Sequence, residues 1–211
     1  MPLQNRIDPF GDFHAVDTRG GYMGNRGILH DEQKKIIAPW RGKAWVTCLL
    51  GFKGIKREVF SKNSYSELFF LDEATAFSAG HRPCNYCQRD RFKAFKSAWL
   101  AANHNLLPST EADPSITLID QILHTERAVR GGAKVKFTEQ IQNIPDGTFV
   151  EINGAAFLVS RNALFAWSFA GYARPVALPD VGTVVQVLTP KSIVSMFRQG
   201  FLPQIHNTAG V

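Results

Sequence analysis

FFLDEATAFSAGHRPCNYC, residues 69–87, predicts a short helix that leads directly into a cysteine pair. Asp72 is a suitable N-cap, and Gly80 can adopt the left-handed conformation that commonly ends a helix. Two residues separate Cys84 from Cys87, and this spacing lets two thiolates bind one tetrahedral zinc ion. We therefore expect the helix to position a zinc-binding turn.

The third cysteine, Cys48, lies upstream in an apolar segment, residues 44–50, whose composition predicts a strand. A turn at residues 51–54 and a second, antiparallel strand at residues 56–60 would complete a hairpin. Three cysteines supply three donors, whereas tetrahedral zinc takes four. The residues leave the fourth donor open, and the candidates are His30, His81, His14, Asp31 or a water molecule.

A longer pattern runs through the same region, F-x-x-E-A-x-A-x-x-x-G-x-R-P-C-x-x-C, formed by Phe70, Glu73-Ala74, Ala76, Gly80, Arg82-Pro83-Cys84 and Cys87. It resembles the second half of the zinc site in Ada-type domains, and the resemblance covers residues 44–90. In the adaptive-response DNA repair protein, such a domain takes methyl groups from DNA phosphotriesters onto a zinc-bound cysteine. The resemblance implies zinc, contact with DNA and a role in DNA repair or processing.

The first half of the family's zinc site usually contains Cys-x-x-x-Cys or His-x-x-x-Cys. Here Ala44 stands four residues before Cys48, and Phe52 stands four residues after it. The remaining ligand is expected on the N-terminal side of Cys48, where His30 lies. We expect Cys48 to be a structural ligand and not a methyl acceptor. The predicted metal ligands are Cys48, Cys84, Cys87 and His30.

Positive charge is concentrated in the first half of the chain. Residues 1–105 contain 16 Lys and Arg against 10 Asp and Glu, whereas residues 106–211 contain eight of each. Localised positive charge is typical of proteins that bind a polyanion, and nucleic acid is the partner we predict. An amphipathic helix after Cys87 would turn its aromatic residues inward and its basic residues outward. The predicted nucleic-acid contacts are Lys53, Lys56, Arg57, Arg89, Lys93 and Lys96.

The second half of the chain changes character. After a helix that begins near Pro114, it consists of short β-prone runs separated by turn signals such as Asn153-Gly154. We expect a small β-barrel or a twisted antiparallel sheet there, followed by a helix from residue 190. The predicted fold class is α+β, with a basic zinc module at residues 1–105 and a helix-plus-β module at residues 106–211.

Composition indicates an ordinary globular protein, with 45% hydrophobic and 20% charged residues. The N-terminus lacks a secretory signal pattern, and no apolar run approaches the length of a membrane span. An odd number of cysteines argues against a secreted disulfide framework. We therefore expect a cytoplasmic protein without a membrane partner.

Two alternatives to nucleic-acid binding stay open. One is an enzyme, either transferring an alkyl group to a zinc-bound cysteine or hydrolysing a substrate in a pocket between the halves. Hydrolysis would need an open metal position and a general base, and the nearby acids in sequence are Glu67, Asp72 and Glu73. The other alternative is a structural module for protein–protein contact, in which zinc only stabilises the fold.

Overall fold

The computed structural model describes residues 1–54, 58–108 and 114–210. It contains helices and two sheets, which confirms the α+β class. The four helices are α1 (Glu73–Ser78), α2 (Arg89–Asn103), α3 (Ile116–Arg127) and α4 (Lys191–Arg198). No helix in the described ranges is both long enough and apolar enough to cross a bilayer.

The first sheet is formed by six short strands from the N-terminal part of the chain. They are β1 (Arg6–Ile7), β2 (Phe13–His14), β3 (Tyr22–Asn25), β4 (Val46–Leu49), β5 (Leu68–Phe70) and β6 (Arg82–Pro83). Their spatial order is β2-β1-β5-β3-β4-β6. β4 pairs with β3 in antiparallel orientation and with β6 in parallel orientation.

The predicted strand at residues 44–50 is confirmed as β4, but the predicted hairpin is wrong in its described part. Residues 58–60 are not a strand, and β4 has β3 and β6 as its neighbours. Residues 55–57 lie outside the described residues. β3 has only two apolar residues in four, with a glycine and an asparagine, and this composition is a weak strand signal. The sequence therefore did not indicate β3 as the partner of β4.

The second sheet is antiparallel throughout. Its strands are β7 (Phe137–Gln140), β8 (Phe149–Ile152), β9 (Ala155–Ser160), β10 (Ala163–Ser168), β11 (Gly171–Tyr172), β12 (Val176–Ala177) and β13 (Val184–Val187). Their order is β11-β10-β9-β8-β13-β7, with β12 paired to β10. In the described part of the chain β11 and β7 do not pair, so the sheet is open. The barrel alternative is therefore wrong, and the antiparallel-sheet alternative is confirmed.

α1 lies at the centre of the structure and is buried along its whole length. The Asp72 side chain caps it by accepting a hydrogen bond from the Thr75 backbone N–H at 2.8 Å, as the sequence predicted. Three of its residues enter three different hydrophobic cores: Ala74, Ala76 and Phe77. α1 thus packs against the first sheet, against the core formed by α2, α3 and α4, and against the second sheet.

The hydrophobic cores contain residues from both predicted modules. Phe77, Phe95 and Trp99 pack with Ile119 and Phe197 in one core. Leu71 and Ala74 pack with strands β8, β9 and β10 of the second sheet in another. The division into residues 1–105 and 106–211 stays a prediction, and hydrophobic packing crosses its boundary.

A buried ion pair fixes β6 against α3. Arg82 donates from Nε to Asp120 Oδ1 at 2.8 Å and from Nη2 to Oδ2 at 2.6 Å, and both side chains are almost fully buried. Two parallel N–H···O bonds of this kind are strong and geometrically specific. The pair therefore holds the residues just before Cys84 in place.

We predict that Asp120→Ala lowers the free energy of unfolding by about 3–5 kcal/mol, because the buried Arg82 guanidinium loses its counterion. Urea denaturation measures the loss. Glu32→Ala is the matched control, since the Lys62–Glu32 pair is exposed, and removing it should cost less than about 1 kcal/mol. Equal losses in the two variants would contradict the role of the buried pair.

Candidate metal centre

The three cysteines form one group whose sulfur atoms all lie within 4.8 Å of one another. Cys48 comes from β4, and the other two come from the turn between β6 and α2. The parallel register of β4 and β6 places Thr47 opposite Pro83, and the Cys84 N–H donates to the Thr47 carbonyl at 2.9 Å. This pairing brings Cys48 beside Cys84, although 36 positions separate them in the chain.

Hydrogen bonds fix the conformation of the cysteine turn. The Gln88 N–H donates to the Cys84 carbonyl at 3.0 Å, and the Gln88 side chain donates to the Thr47 carbonyl at 2.8 Å. The Tyr86 N–H points at the Cys84 sulfur, 3.4 Å away. An N–H donor beside a sulfur favours its thiolate form, so this contact favours the thiolate of Cys84.

The cysteines influence one another's protonation. A hydrogen bond from the Cys48 thiol, aided by backbone N–H groups, lowers the pKa of Cys84 to about 5. The same hydrogen bond and burial raise the pKa of Cys48 well above its ordinary value. Burial raises the pKa of Cys87. In the metal-free protein, Cys84 is therefore the thiolate and Cys48 the proton donor.

This donor set fits a zinc ion. A tetrahedral zinc with Zn–S bonds of about 2.3 Å places its sulfur ligands roughly 3.8 Å apart, which agrees with the spacing of the group. Three soft sulfur donors select zinc or another thiophilic metal over calcium or magnesium. The geometry shows that the three cysteines could hold a metal ion.

The histidine candidates lie outside this group. His30 Nδ1 hydrogen-bonds to Ser66 Oγ at 2.6 Å, and its ring stacks on Phe60. His81 is buried, and its Nε2 accepts from Arg26 at 3.3 Å. Among the described residues, only the cysteines meet as possible metal ligands. His30 as fourth ligand stays a prediction, and the structure does not bring it to the cysteines.

A cavity of about 330 Å³ opens beside the cysteines, and all three of them line it. Its other walls are mostly apolar and are formed by residues such as Met23, Val46, Leu49 and Phe69. A ligand in this cavity would lie next to the sulfur atoms. This cavity could not be predicted from the sequence, because its walls include residues of β3, β4, β5 and the cysteine turn, which are far apart in the chain.

Of the three acids near the cysteines in sequence, only Glu67 lines the cavity. Its Oε2 accepts from the Phe60 N–H at 2.9 Å, whereas its buried Oε1 has no hydrogen-bond partner among the described residues. Glu73 is held by Arg91 through two hydrogen bonds. Asp72 is occupied in capping α1 and in accepting hydrogen bonds from the second half of the chain. Glu67 is therefore the acid placed to meet a ligand.

The rim of the cavity carries exposed aromatic and basic side chains. Tyr86 is 64% exposed, although it sits between two cysteines of the group. Its ring meets Phe52 edge-on with centroids 5.1 Å apart. Lys53 Nζ lies 5.4 Å from the Phe52 ring and 5.3 Å from the Tyr86 ring. Phe52, Lys53 and Tyr86 together are called the aromatic rim below.

The predicted basic contacts are distributed around this site. Lys53 belongs to the aromatic rim, and Arg89 and Lys93 are exposed on α2, which begins directly after the cysteine turn. Lys96 is partly buried further along α2. The remaining two predicted contacts lie outside the described residues: Lys56 and Arg57.

We predict that iodoacetamide modifies Cys84 first in the metal-free protein. With a pKa of about 5, Cys84 stays a thiolate at pH 6–8, and its alkylation rate falls only as the pH drops through about 5. An ordinary cysteine would already slow below its pKa of about 8.5. Peptide mapping by mass spectrometry follows each site, Cys48 serves as the unreactive internal control, and added zinc should protect all three. A rate for Cys84 with its midpoint near pH 8.5 would contradict the assignment.

Comparison with known proteins gives no relative: no family model, no curated protein and no solved structure matches this chain.

Proposed function

We propose that this chain is a zinc-binding protein that contacts nucleic acid through the surface around its three cysteines. One observation carries the proposal: the two rings of the aromatic rim, exposed Tyr86 and half-buried Phe52, line the same cavity as three thiols that could hold a metal ion, with Lys53 beside both rings. The fourth ligand would be His30, as the sequence predicts, or a water molecule. Thiolates persist in a reducing compartment, and the cytoplasm is the location we propose.

The aromatic rim has the chemistry of a nucleic-acid contact. Exposed rings stack on bases of any sequence, and a neighbouring cation binds the phosphate backbone. Lys53 supplies that cation within the rim, and Arg89 and Lys93 extend the positive surface along α2. Lys56 and Arg57 belong to the same proposal on sequence grounds. The resemblance of residues 44–90 to Ada-type domains adds DNA as the preferred nucleic acid and repair as the setting.

Zinc would act mainly as a structural centre in this proposal. It would tie β4 to the turn that precedes α2, and structural zinc contributes directly to folding free energy. Tyr86 lies between two of the ligands, so metal binding would also orient the aromatic rim. We therefore expect zinc binding and nucleic-acid binding to be coupled.

We predict that Tyr86→Ala weakens binding to single-stranded DNA by about 1–3 kcal/mol, the usual contribution of one stacked base. Lys53→Ala should weaken binding for all sequences and reduce the slope of log K against log[salt] by about one, from roughly −3 to −5 in the unchanged protein. Fluorescence anisotropy over a salt series measures both effects, on protein that contains about one zinc per chain by metal assay.

Val181→Ala and Lys191→Ala are the matched controls, since both side chains are exposed and lie away from the aromatic rim. Neither should change affinity more than about twofold, although Lys191→Ala removes the same charge as Lys53→Ala. Binding that ignores salt, or equal losses in the rim and control variants, would instead favour a protein–protein module.

A second candidate function is chemistry inside the cavity, and Glu67 favours it. Its buried Oε1 has no partner in the described part of the chain, and the residue lines a cavity that the three thiols also line. A carboxylate in that position can accept or hold a proton of a bound ligand. Zinc, when bound, would supply a Lewis acid to the same cavity. Of the two enzyme classes that the sequence left open, hydrolysis is the one that Glu67 favours.

We predict that Cys48 does not accept a methyl group. Three thiolates on Zn²⁺ carry a formal charge of −1, against −2 for four thiolates, and the less negative centre makes each sulfur a weaker nucleophile. Incubating the zinc-loaded protein with DNA that carries methylphosphotriesters should leave its intact mass unchanged. Metal-free protein treated with iodomethane is the positive control for detection. One added methyl group on Cys48 would make the chain a repair enzyme.

A further inference from the structure

A second cavity, of about 260 Å³, is lined by three cationic side chains, Arg26, Arg127 and Lys134. Arg26 and Arg127 are only 3% and 2% exposed. Lys134 is partly exposed as a residue, but its Nζ donates to the carbonyl of Ser78, which has no exposure. Within the described ranges, none of the three cations forms an ion pair. Burying cations without counterions is strongly unfavourable, so this arrangement needs a physical reason.

Backbone carbonyls accept hydrogen bonds from some of the N–H donors of Arg26 and Arg127. Arg127 donates to the carbonyls of Gly80, at 2.6 Å, and Lys43. Arg26 donates to the Gly11 carbonyl at 3.1 Å. Gly80 has a φ of +84°, and a Cβ there would come within 2.5 Å of the Arg127 side chain. The backbone around Gly80 is thus shaped to hold Arg127 in this position.

Each of the two guanidinium groups also keeps a donor that no described residue accepts from. Arg26 Nη2 and Arg127 Nε are buried and have no hydrogen-bond partner in the described part of the chain. Their Cζ atoms lie 4.2 Å and 4.3 Å from the Trp45 ring centroid, so cation–π attraction offsets part of the cost of burial. The indole Nε1 of Trp40, another lining residue, is also buried without a partner among the described residues. Three unpaired donors therefore belong to residues that line one cavity.

The three cations repel one another. Burial, followed by the charges of Arg26 and Arg127, lowers the pKa of Lys134 to about 7. Burial also lowers the pKa of Arg26 and of Arg127. Burial, followed by the charges of Arg26, Arg127 and Lys134, keeps the pKa of His81 well below its ordinary value, so His81 adds no positive charge. An anion bound between these cationic groups would attract each of them and offset their mutual repulsion.

The acidic groups nearby leave an excess of positive charge. Asp12 lines the cavity, but it is exposed. Asp8 does not line the cavity, and its carboxylate accepts from His14 at 2.8 Å and from the Asp12 backbone N–H at 3.0 Å, although its charge still acts on Arg26 and Lys134. Three cationic side chains and one carboxylate line the walls, so the lining itself carries more positive than negative groups.

The cavity is open to solvent and compact. Exposed Pro39 and Gly131 form part of its wall, so a solute can enter. Its volume lies below the roughly 300–1,000 Å³ of pockets for drug-sized ligands. Guanidinium donors arranged around a small space match the oxygens of a phosphate group, and Arg is the usual residue at such sites.

We propose that this cavity is a phosphate-binding site, for inorganic phosphate or for the phosphate group of a small monoester. Arg26, Arg127 and Lys134 provide the charge, and the unpaired donors of Arg26, Arg127 and Trp40 provide hydrogen bonds. Trp45 and Trp40 give the site an aromatic wall for the remainder of a monoester. The site shares no lining residue with the cavity beside the cysteines and is independent of the metal.

Isothermal titration calorimetry of the full chain with inorganic phosphate and with phenyl phosphate tests the proposal, at constant ionic strength set with sodium chloride. We expect saturable binding with one site per chain. Lys134→Met should weaken it about ten- to hundredfold, the usual effect of losing a hydrogen bond to a charged group. Lys191→Met, the control, removes an exposed lysine and the same net charge and should leave affinity within about twofold.

Trp40→Phe keeps the aromatic packing and removes one donor, so it should weaken binding about two- to tenfold; it decides the question if Lys134→Met does not fold. Tighter binding of phenyl phosphate would identify a monoester as the ligand, and equal or tighter binding of inorganic phosphate would identify the free ion. The absence of saturable binding, equal losses in both lysine variants, or unchanged affinity in Trp40→Phe would overturn the proposal.

Discussion

The side-chain carboxylate of Asp72 links the start of α1 to the C-terminal half of the chain. It is almost fully buried and accepts hydrogen bonds from four donors: the backbone N–H and hydroxyl of Thr75, the hydroxyl of Tyr172 and the backbone N–H of His206. The two Thr75 donors belong to the first turn of α1, whereas Tyr172 and His206 belong to the C-terminal half of the chain. A buried carboxylate is stable only when its oxygens are satisfied in this way. One side chain thus sets the start of the central helix and the position of the second sheet.

Local features of this fold were predictable from sequence, because they depend on neighbouring residues. The Asp72 cap, the glycine that ends α1, the strand carrying Cys48 and the inward aromatic face of α2 all follow from short-range patterns. The pairing of β4 with β3 and β6 was not predictable. It joins segments that lie far apart in the chain, and two-residue strands such as β6 carry almost no periodic signal.

The candidate sites show the same limit. The two cysteines of the turn could be recognised by their spacing, and Cys48 by its strand, but the fourth ligand could not be located by the order of residues alone. Net charge was a still weaker guide. Arg26 and Arg82 count toward the positive excess of residues 1–105, yet both are buried and unavailable to a polyanion on the surface. Net charge calculated from a sequence does not show which charged side chains are buried. Only an exposed cation can contact a nucleic acid, whereas a buried cation beside a cavity can contact a small anion.

The parallel pairing of β4 and β6 also determines when the metal centre can form during folding. Cys84 and Cys87 belong to one turn and meet as soon as that turn closes, whereas Cys48 reaches them only after a loop of 36 positions has been ordered. Closing such a loop costs conformational entropy, and contacts within the cysteine turn do not offset that cost. Any state in which β4 is still unpaired therefore offers a metal ion two sulfur ligands in place of three. The three sulfur donors come together only in the finished sheet, so a newly made protein would gain its full affinity for a metal ion only after β4 has paired.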